Sequence, residues 1–431
     1  MQLQTILNRV EKHSSFVYAS VRWANNDTPD AGTDDHSRRA DANSALEVTV
    51  RERANGRPVC SGCGCPGPGY DRLPLRRYEF VPFWAISVFL LYAPRRVNCR
   101  RCGVKVERLP WAEGKSRLTT SYRWFLASWS KLLSWQQVAD RFRTSWQSVY
   151  RAVDMAVAWG LTHRSLDNIE AIGVDEVQWQ RGHRYLTLVY QIDGTCRRLL
   201  HIAPERTAKS LLSFFRILGK PRSAALKYVC SDMWKAYLKV IAKKASGALH
   251  VLDRFHIMAK LSKAIDEVRA SEAKRLKEDG YEHILKHSRW CFLKRRENLT
   301  DKQTVKLSEV LKYNLKTVRA YLLKEEFQRF WEYRSPYWAA RFLVEWCRRA
   351  TRSRLEPMKK VARMLDRHGE LILNWFTAKG TISAGIVEGL NYNVKLTMRK
   401  SYGFRTENAL KTALYHRLGA LPEPELAHRF W

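Results

Sequence analysis

The runs AIGVDEVQW (171–179), HRYLTLVYQID (183–193), CRRLLHIAPE (196–205), LKYVCSD (226–232) and LHVLD (249–253) decide the fold class. Each is short and rich in β-branched and aromatic residues, the texture of strands. The first three follow one another directly, and helical patterns separate the last three. This is an α/β arrangement that begins with consecutive strands. Strand parity sends Asp175 and Glu176 to opposite faces, so only one can enter a given site. Asp175 shares its face with Gly173, which leaves space beside it. Asp232 ends its own run, and α/β sheets gather ligands at the C-terminal ends of strands. For either Asp alone, a cap or turn acid is the competing reading.

Downstream, residues 254–380 read as almost continuous amphipathic helix, rich in Lys, Arg and Trp. Two further helices are expected, from about Ser383 to Lys400 and from about Glu407 to Leu418. At roughly 100° per residue, Glu388, Asn391, Lys395 and Arg399 share one narrow arc of the first. Ile386, Val387, Leu390, Val394 and Met398 occupy another. One face then packs while the other offers a carboxylate flanked by cations. An exposed face with ordinary i,i+4 pairing is the alternative.

Upstream, Cys60-Ser-Gly-Cys63 and Cys99-Arg-Arg-Cys102 form two C-x2-C pairs. Each pair can present two thiolates from a tight turn, and two turns complete a tetrahedral zinc site with a structural role. Cys65 is a spare. The first apolar positions, Leu3, Ile6, Leu7 and Val10, give an amphipathic start. Residues 25–44 have little to bury and read as a loop. The apolar run from about Phe80 to Ala93 is too short to span a bilayer and reads as buried strand.

Ser134-Trp-Gln-Gln137 has the form of a capping box and opens a helix. Thr144-Ser-Trp-Gln147 repeats it and opens a second. Two short helices across a tight turn suggest a helix-turn-helix, with Gln147, Ser148 and Arg151 as candidate DNA contacts. An ordinary helical hairpin is the competing reading.

Charge narrows the partner. The 431 residues carry 76 Lys and Arg against 42 Asp and Glu, a net +34. A protein this basic meets a polyanion, and nucleic acid leads. Hydrophobic residues make up 45%, which excludes wholesale disorder. No secretory signal is evident, since Lys12 and His13 interrupt the first apolar stretch. Nine cysteines then suggest a reducing cytoplasm.

Three acids suit one chemistry. Two hard divalent cations about 3.5–4 Å apart clamp the attacking and leaving oxygens of an in-line displacement. Carboxylates from Asp175, Asp232 and Glu388 suit Mg²⁺ or Mn²⁺.

The order of cysteine knuckles, paired helices and Asp–Asp–Glu closely resembles the ISL-three family of bacterial insertion-sequence transposases. The stretches that carry the resemblance include RPVCSGCGCPGPGYDRLP, WAEGKSRLTTSY, VCSDMWKAYLKVIAKKA, HVLDRFHIMAKLSKAIDEVR and VEGLN…KLT…YGFRT. It covers nearly the whole chain. It implies an RNase-H-like catalytic core with an all-helical insertion, preceded by a zinc-ribbon and a helix-turn-helix domain. The expected divisions are 1–112, 113–165, 166–253, 254–380 and 381–431. The resemblance also implies Asp175, Asp232 and Glu388 as the catalytic triad. Asp253-Arg-Phe-His256 looks like a D-x-x-H motif near the site; Lys395 and Arg399 are candidate supports by their place on the Glu388 arc. A strand-end acid with a helix-capping His is the plain reading of that motif. Trp290, in the helical interval, is a candidate for stacking on DNA, although a core Trp is the simpler reading.

The implied partners are double-stranded DNA at terminal inverted repeats and at the target, and further copies of the chain, at least as a homodimer. No membrane is involved, and the implied setting is the bacterial cytoplasm, on the nucleoid. The implied activity is cleavage and strand transfer. A transposase-derived repressor and a nuclease that cuts without rejoining are the alternatives. After Asn391 the chain departs from the family pattern: Tyr392-Asn393 stand where Asn-Lys is expected, which removes a cation near Glu388.

Overall fold

A computed structural model describes residues 3–24, 45–194, 196–281, 283–378 and 384–425. The loop expected over 25–44 lies outside them. The chain divides into two compact units.

The first unit begins with α1 (Leu3–Val10) and two strands, β1 (Phe16–Trp23) and β2 (Ala45–Glu52). Next come β3 (Gly69–Arg72), β4 (Arg76–Phe83), β5 (Ile86–Tyr92), β6 (Arg95–Cys99) and β7 (Gly103–Val106). Strands β1-β2-β5-β4 form one sheet and β3-β6-β7 a smaller one. Trp111 anchors the larger core, with Phe16 and Tyr92 meeting it edge-on at 4.9 and 5.4 Å. Buried Glu107 ties the sheets together by accepting from Tyr92 Oη at 2.6 Å and from the Arg95 guanidinium at 2.8 Å.

The apolar run expected as a single strand over 80–93 is instead a hairpin. Phe83 pairs with Ile86 across Trp84 and Ala85, which adopt φ of 48° and 65°. Those are the left-handed dihedrals of a two-residue hairpin turn, made here without the usual Asn-Gly.

Three helices complete this part of the unit: α2 (Thr120–Trp129), α3 (Trp135–Arg141) and α4 (Trp146–His163). Ser134 and Gln137 form the expected capping box on α3. The cap of α4 falls one residue later than expected, at Ser145, whose hydroxyl accepts from Ser148 N. Thr144 N instead bonds Ala139 O and so belongs to the turn.

The second unit holds a five-stranded mixed sheet. Strands β8 (Ala171–Gln180), β9 (Arg184–Ile192) and β10 (Arg197–Pro204) run antiparallel. Two short strands, β11 (Tyr228–Ser231) and β12 (Leu249–Leu252), extend the other edge in parallel. The order is β10-β9-β8-β11-β12. Helices α5 (Ala208–Leu218), α6 (Lys220–Ala224) and α7 (Lys235–Lys244) accompany the sheet. Phe214, Leu211 and Tyr237 bury against Ile172, Val174 and Val189 there.

From residue 254 to 377 the described residues form helices and turns only. These are α8 (Arg254–Glu278), α9 (Arg289–Leu293), α10 (Asp301–Val310), α11 (Lys316–Gln328), α12 (Pro336–Arg352), α13 (Glu356–Arg367) and α14 (Gly369–Thr377). They share a core of their own around Phe327, Phe330 and Trp346. Leu315 provides no side-chain cap for α11. Buried Glu272 supplies one from α8, accepting from Lys316 N at 2.9 Å and Thr317 N at 2.7 Å. Such a bond satisfies helix-terminal donors that burial would otherwise leave unpaired. The Asn374 amide on α14 donates to His250 O at 2.8 Å and ties the helices back to β12.

Then α15 (Ala384–Lys400) packs against β8, and α16 (Glu407–Leu418) follows. Residues 381–431, expected to act together, divide: 384–404 stay with the sheet, while 405–417 group with the first unit. There Thr412 Oγ1 donates to Asp154 Oδ1 at 2.9 Å. No helix of the described residues is long and apolar enough to cross a membrane.

Candidate active site and cysteine cluster

Register builds the site. Val174 on β8 pairs with Ser231 on β11, and Ser231 pairs with Leu252 on β12. The next residues are Asp175, Asp232 and Asp253. Parallel neighbouring strands lie about 4.8 Å apart, so the three acids stand side by side, Asp232 and Asp253 just past the ends of β11 and β12 and Asp175 midway along β8.

Each acid is held differently. Asp175 Oδ1 accepts from Glu176 N at 2.8 Å, and its Oδ2 accepts from the Asn391 amide on α15. The Tyr190 hydroxyl donates to the other end of that amide at 2.7 Å, which fixes which end faces Asp175. Asp232 Oδ1 accepts from Trp234 N at 2.9 Å, and its Oδ2 accepts from Arg206 at 2.6 Å. Asp253 caps α8 by accepting from Phe255 N at 2.7 Å. His256 Nε2 stands 3.7 Å from Asp175 and 3.8 Å from Asp253. The D-x-x-H segment is therefore a helix cap and a neighbour of Asp175 at once.

Gathered carboxylates resist ionising. Burial pushes the Asp175 carboxyl above its ordinary range, against the pull of His256. Burial raises Asp253 to about 6, with the charges of Asp175 and Glu388 adding to it. The Glu388 side chain is exposed on α15. Its carboxylate does not close up with Asp175 and Asp232: among the described residues, the only metal-competent group within 4.8 Å of one another is a cysteine set. Lys395 and Arg399 lie exposed further along the same helix. Asn391, expected on their arc, turns inward and is buried, because Asp175 and Tyr190 bond it.

Two contributors escaped sequence reasoning. Parity does separate Glu176 from Asp175, yet Glu176 stays at the site. Arg206 reaches it at 2.8 Å while holding Asp232, and lies 4.5 Å over the Trp234 ring. Burial, then the charge of Asp232, pushes Glu176 up to about 8, and its Oε2 is buried without a hydrogen bond. Arg206 carried no sequence signal, since only the β10–α5 turn delivers it.

The acids beside β8, β11 and β12 supply hard oxygen donors, and the buried Glu176 Oε2 among them makes no hydrogen bond. Hard oxygen donors are the ligand type that Mg²⁺ takes.

The four cysteines converge as their spacing predicts. The Sγ atoms of Cys60, Cys63, Cys99 and Cys102 lie within 4.8 Å of one another, with Cys63 and Cys99 3.5 Å apart. Zn–S bonds of about 2.3 Å imply tetrahedral edges of about 3.8 Å, so the set fits zinc. Backbone N–H groups of Arg101 and Cys102 bring the Cys99 thiol down to about 7, toward thiolate. Cys65 stands outside the cluster.

On α4, Gln147 and Arg151 are exposed and Ser148 is half-buried. Trp290 is not a core residue: it is 54% exposed, with Arg289 5.4 Å from its ring.

The profile of a family described as Transposase, of the DDE, ISL3 type, matches residues 172–414. The transposase for insertion sequence element IS1001 of Bordetella parapertussis is 30% identical over 352 residues, 81% of this chain and 86% of that protein. The transposase for insertion sequence element IS1557 of Mycobacterium tuberculosis is 28% identical over 398 residues, 86% of this chain and 88% of that protein. The matched span contains Asp175, Asp232, Asp253 and Glu388, and the chain belongs to the ISL3 family of DDE transposases, enzymes that process DNA.

Proposed function

We propose that the chain binds the terminal inverted repeats of an insertion sequence, cleaves the DNA at its ends and joins them to a target. The second unit is then an RNase-H-like core interrupted by a helical insertion. The first carries a zinc ribbon and a helix-turn-helix reader, with Gln147, Ser148 and Arg151 toward the duplex. The observation that carries this reading is the register that aligns Asp175 and Asp232 within the matched span.

Asp175, Asp232 and Glu388 would hold two Mg²⁺ or Mn²⁺ ions. Bound there, the ions supply charge stabilisation at the attacking and leaving oxygens. The protein's part is orientation. Tyr190 and Asn391 fix the Asp175 carboxylate. Arg206 bridges Glu176 and Asp232 and holds both carboxyls in place. Lys395 and Arg399 offer exposed cations to the phosphate backbone on the helix that carries Glu388. The cysteine set would hold structural zinc, and pairing of two DNA ends calls for at least two copies of the chain.

Labelled element ends with Mg²⁺ test this. Wild-type protein should give joined product, while Asp232→Ala should keep end binding and lose cleavage. Cleavage without joining would leave a nuclease, and binding without cleavage a repressor; either result rejects strand transfer.

A further inference from the structure

A cavity of about 590 Å³ opens between α5 and α7. Its floor is apolar, made by Leu212, Phe215 and Val240. Arg216, Lys220, Lys239, Lys243 and Lys244 rim it, and no acidic residue lines it. All five cations are exposed, and none forms an ion pair among the described residues.

Helix dipoles explain only part of this charge. Arg216, Lys243 and Lys244 sit in last turns, where cations are favoured. Lys239 is mid-helix, and Lys220 opens the next helix, the end that disfavours a cation. Lys235, Lys239 and Lys243 also repeat every four residues, so like charges stack along one ridge. That ridge begins three residues after Asp232 and rises about 12 Å.

We propose that this cavity and ridge bind single-stranded DNA leaving the acid site. Phosphates lie on the lysine ridge, and bases enter the apolar recess. The assignment rests on the DNA-processing reading and adds a second, unpaired-strand site to it. A duplex keeps its bases stacked inside and offers the cavity only phosphate. An unpaired strand offers both phosphate and an apolar base face, the combination that single-strand sites use. The volume falls in the range of about 300–1,000 Å³ typical of ligand sites, room for one or two bases.

Full-length protein is titrated with a fluorescent short oligothymidine, without divalent metal, so cleavage chemistry does not enter. Lys239→Glu with Lys243→Glu should weaken oligothymidine binding about tenfold or more and flatten its salt slope by about 1.4, the share of two phosphate contacts. Binding of duplex element ends should change by no more than about threefold, since the ridge is not their principal contact. The Arg double variant should keep wild-type affinity. Halogenated-uracil oligomers should photocross-link wild-type protein within residues 209–244, a readout independent of variant folding. Cross-links confined elsewhere, or equal losses for single strand and duplex, overturn the proposal. So does inorganic tripolyphosphate binding that falls in the Glu variant while oligothymidine binding does not. Asp232→Ala should leave oligothymidine affinity intact, so failure of end cleavage and failure of this site are read separately.

Discussion

Gly173 on β8 lies directly against Val387 on α15: a β-carbon at residue 173 would fall inside the van der Waals surface of Val387 Cγ2. Any larger residue at 173 would require the Val387 side chain or its helix to shift. Val387 precedes Glu388, and Asn391, one turn on, donates to Asp175. The glycine therefore sets the depth at which the Glu388 helix meets the first acid.

Gly173→Ala should push α15 outward. Overpacking of this kind costs about 1–3 kcal/mol of stability. It should also break the Asn391–Asp175 bond and lower cleavage at least about tenfold, given the geometric demands of such sites. Duplex-end binding should be unchanged. Measuring cleavage and binding on one preparation checks this, and cleavage within twofold of wild type would reject the coupling.

Zinc removal should act locally. The small β3-β6-β7 sheet has Cys60, Val97 and Cys99 as its buried apolar cluster among the described residues, so two of its three members are proposed ligands. The larger sheet has its own Trp111-centred core. Chelation, or Cys60→Ser, should speed amide exchange over 95–106 and leave 46–50 and 88–92 protected. Metal analysis should give one zinc per chain before chelation. Uniform loss of protection across both sheets would mean the cysteines support the whole module.

The sequence made much of this legible where the physics is local. Strand runs, the capping box at Ser134 and the two C-x2-C turns depend on neighbours along the chain, and the structure forms each. Asp232 was legible as an acid ending its strand and Asp175 as one on the face of Gly173, since strand ends and parity are local properties. What remained hidden depends on the third dimension. The hairpin at Trp84-Ala85 lacks the residues that usually mark a two-residue turn. Arg206 reaches Glu176 and Asp232 across 30 and 26 residues. Asn391 turns inward because Tyr190 and Asp175, some two hundred residues earlier, offer it partners. Trp290 reads as core by composition, yet it lies on the outside of the helical layer.

Acid should loosen the first unit through His416 on α16. Its Nε2 is buried and makes no hydrogen bond among the described residues. Burial brings the imidazole down to about 4, and the charge of Lys131 adds to that. The folded value lies below the ordinary 6.5, so the folded state prefers the neutral ring. The resulting stability is present above pH 6.5, declines as pH falls toward 4, and changes no further below that. At pH 5 the loss is at most about 2 kcal/mol, from about 1.4 kcal/mol per pH unit. His416→Leu should remove this part of the pH dependence and raise the melting temperature at pH 5 more than at pH 7.5. Thermal unfolding of both proteins at the two pH values decides it, because an equal shift at each would show that packing, not protonation, sets the contribution of residue 416.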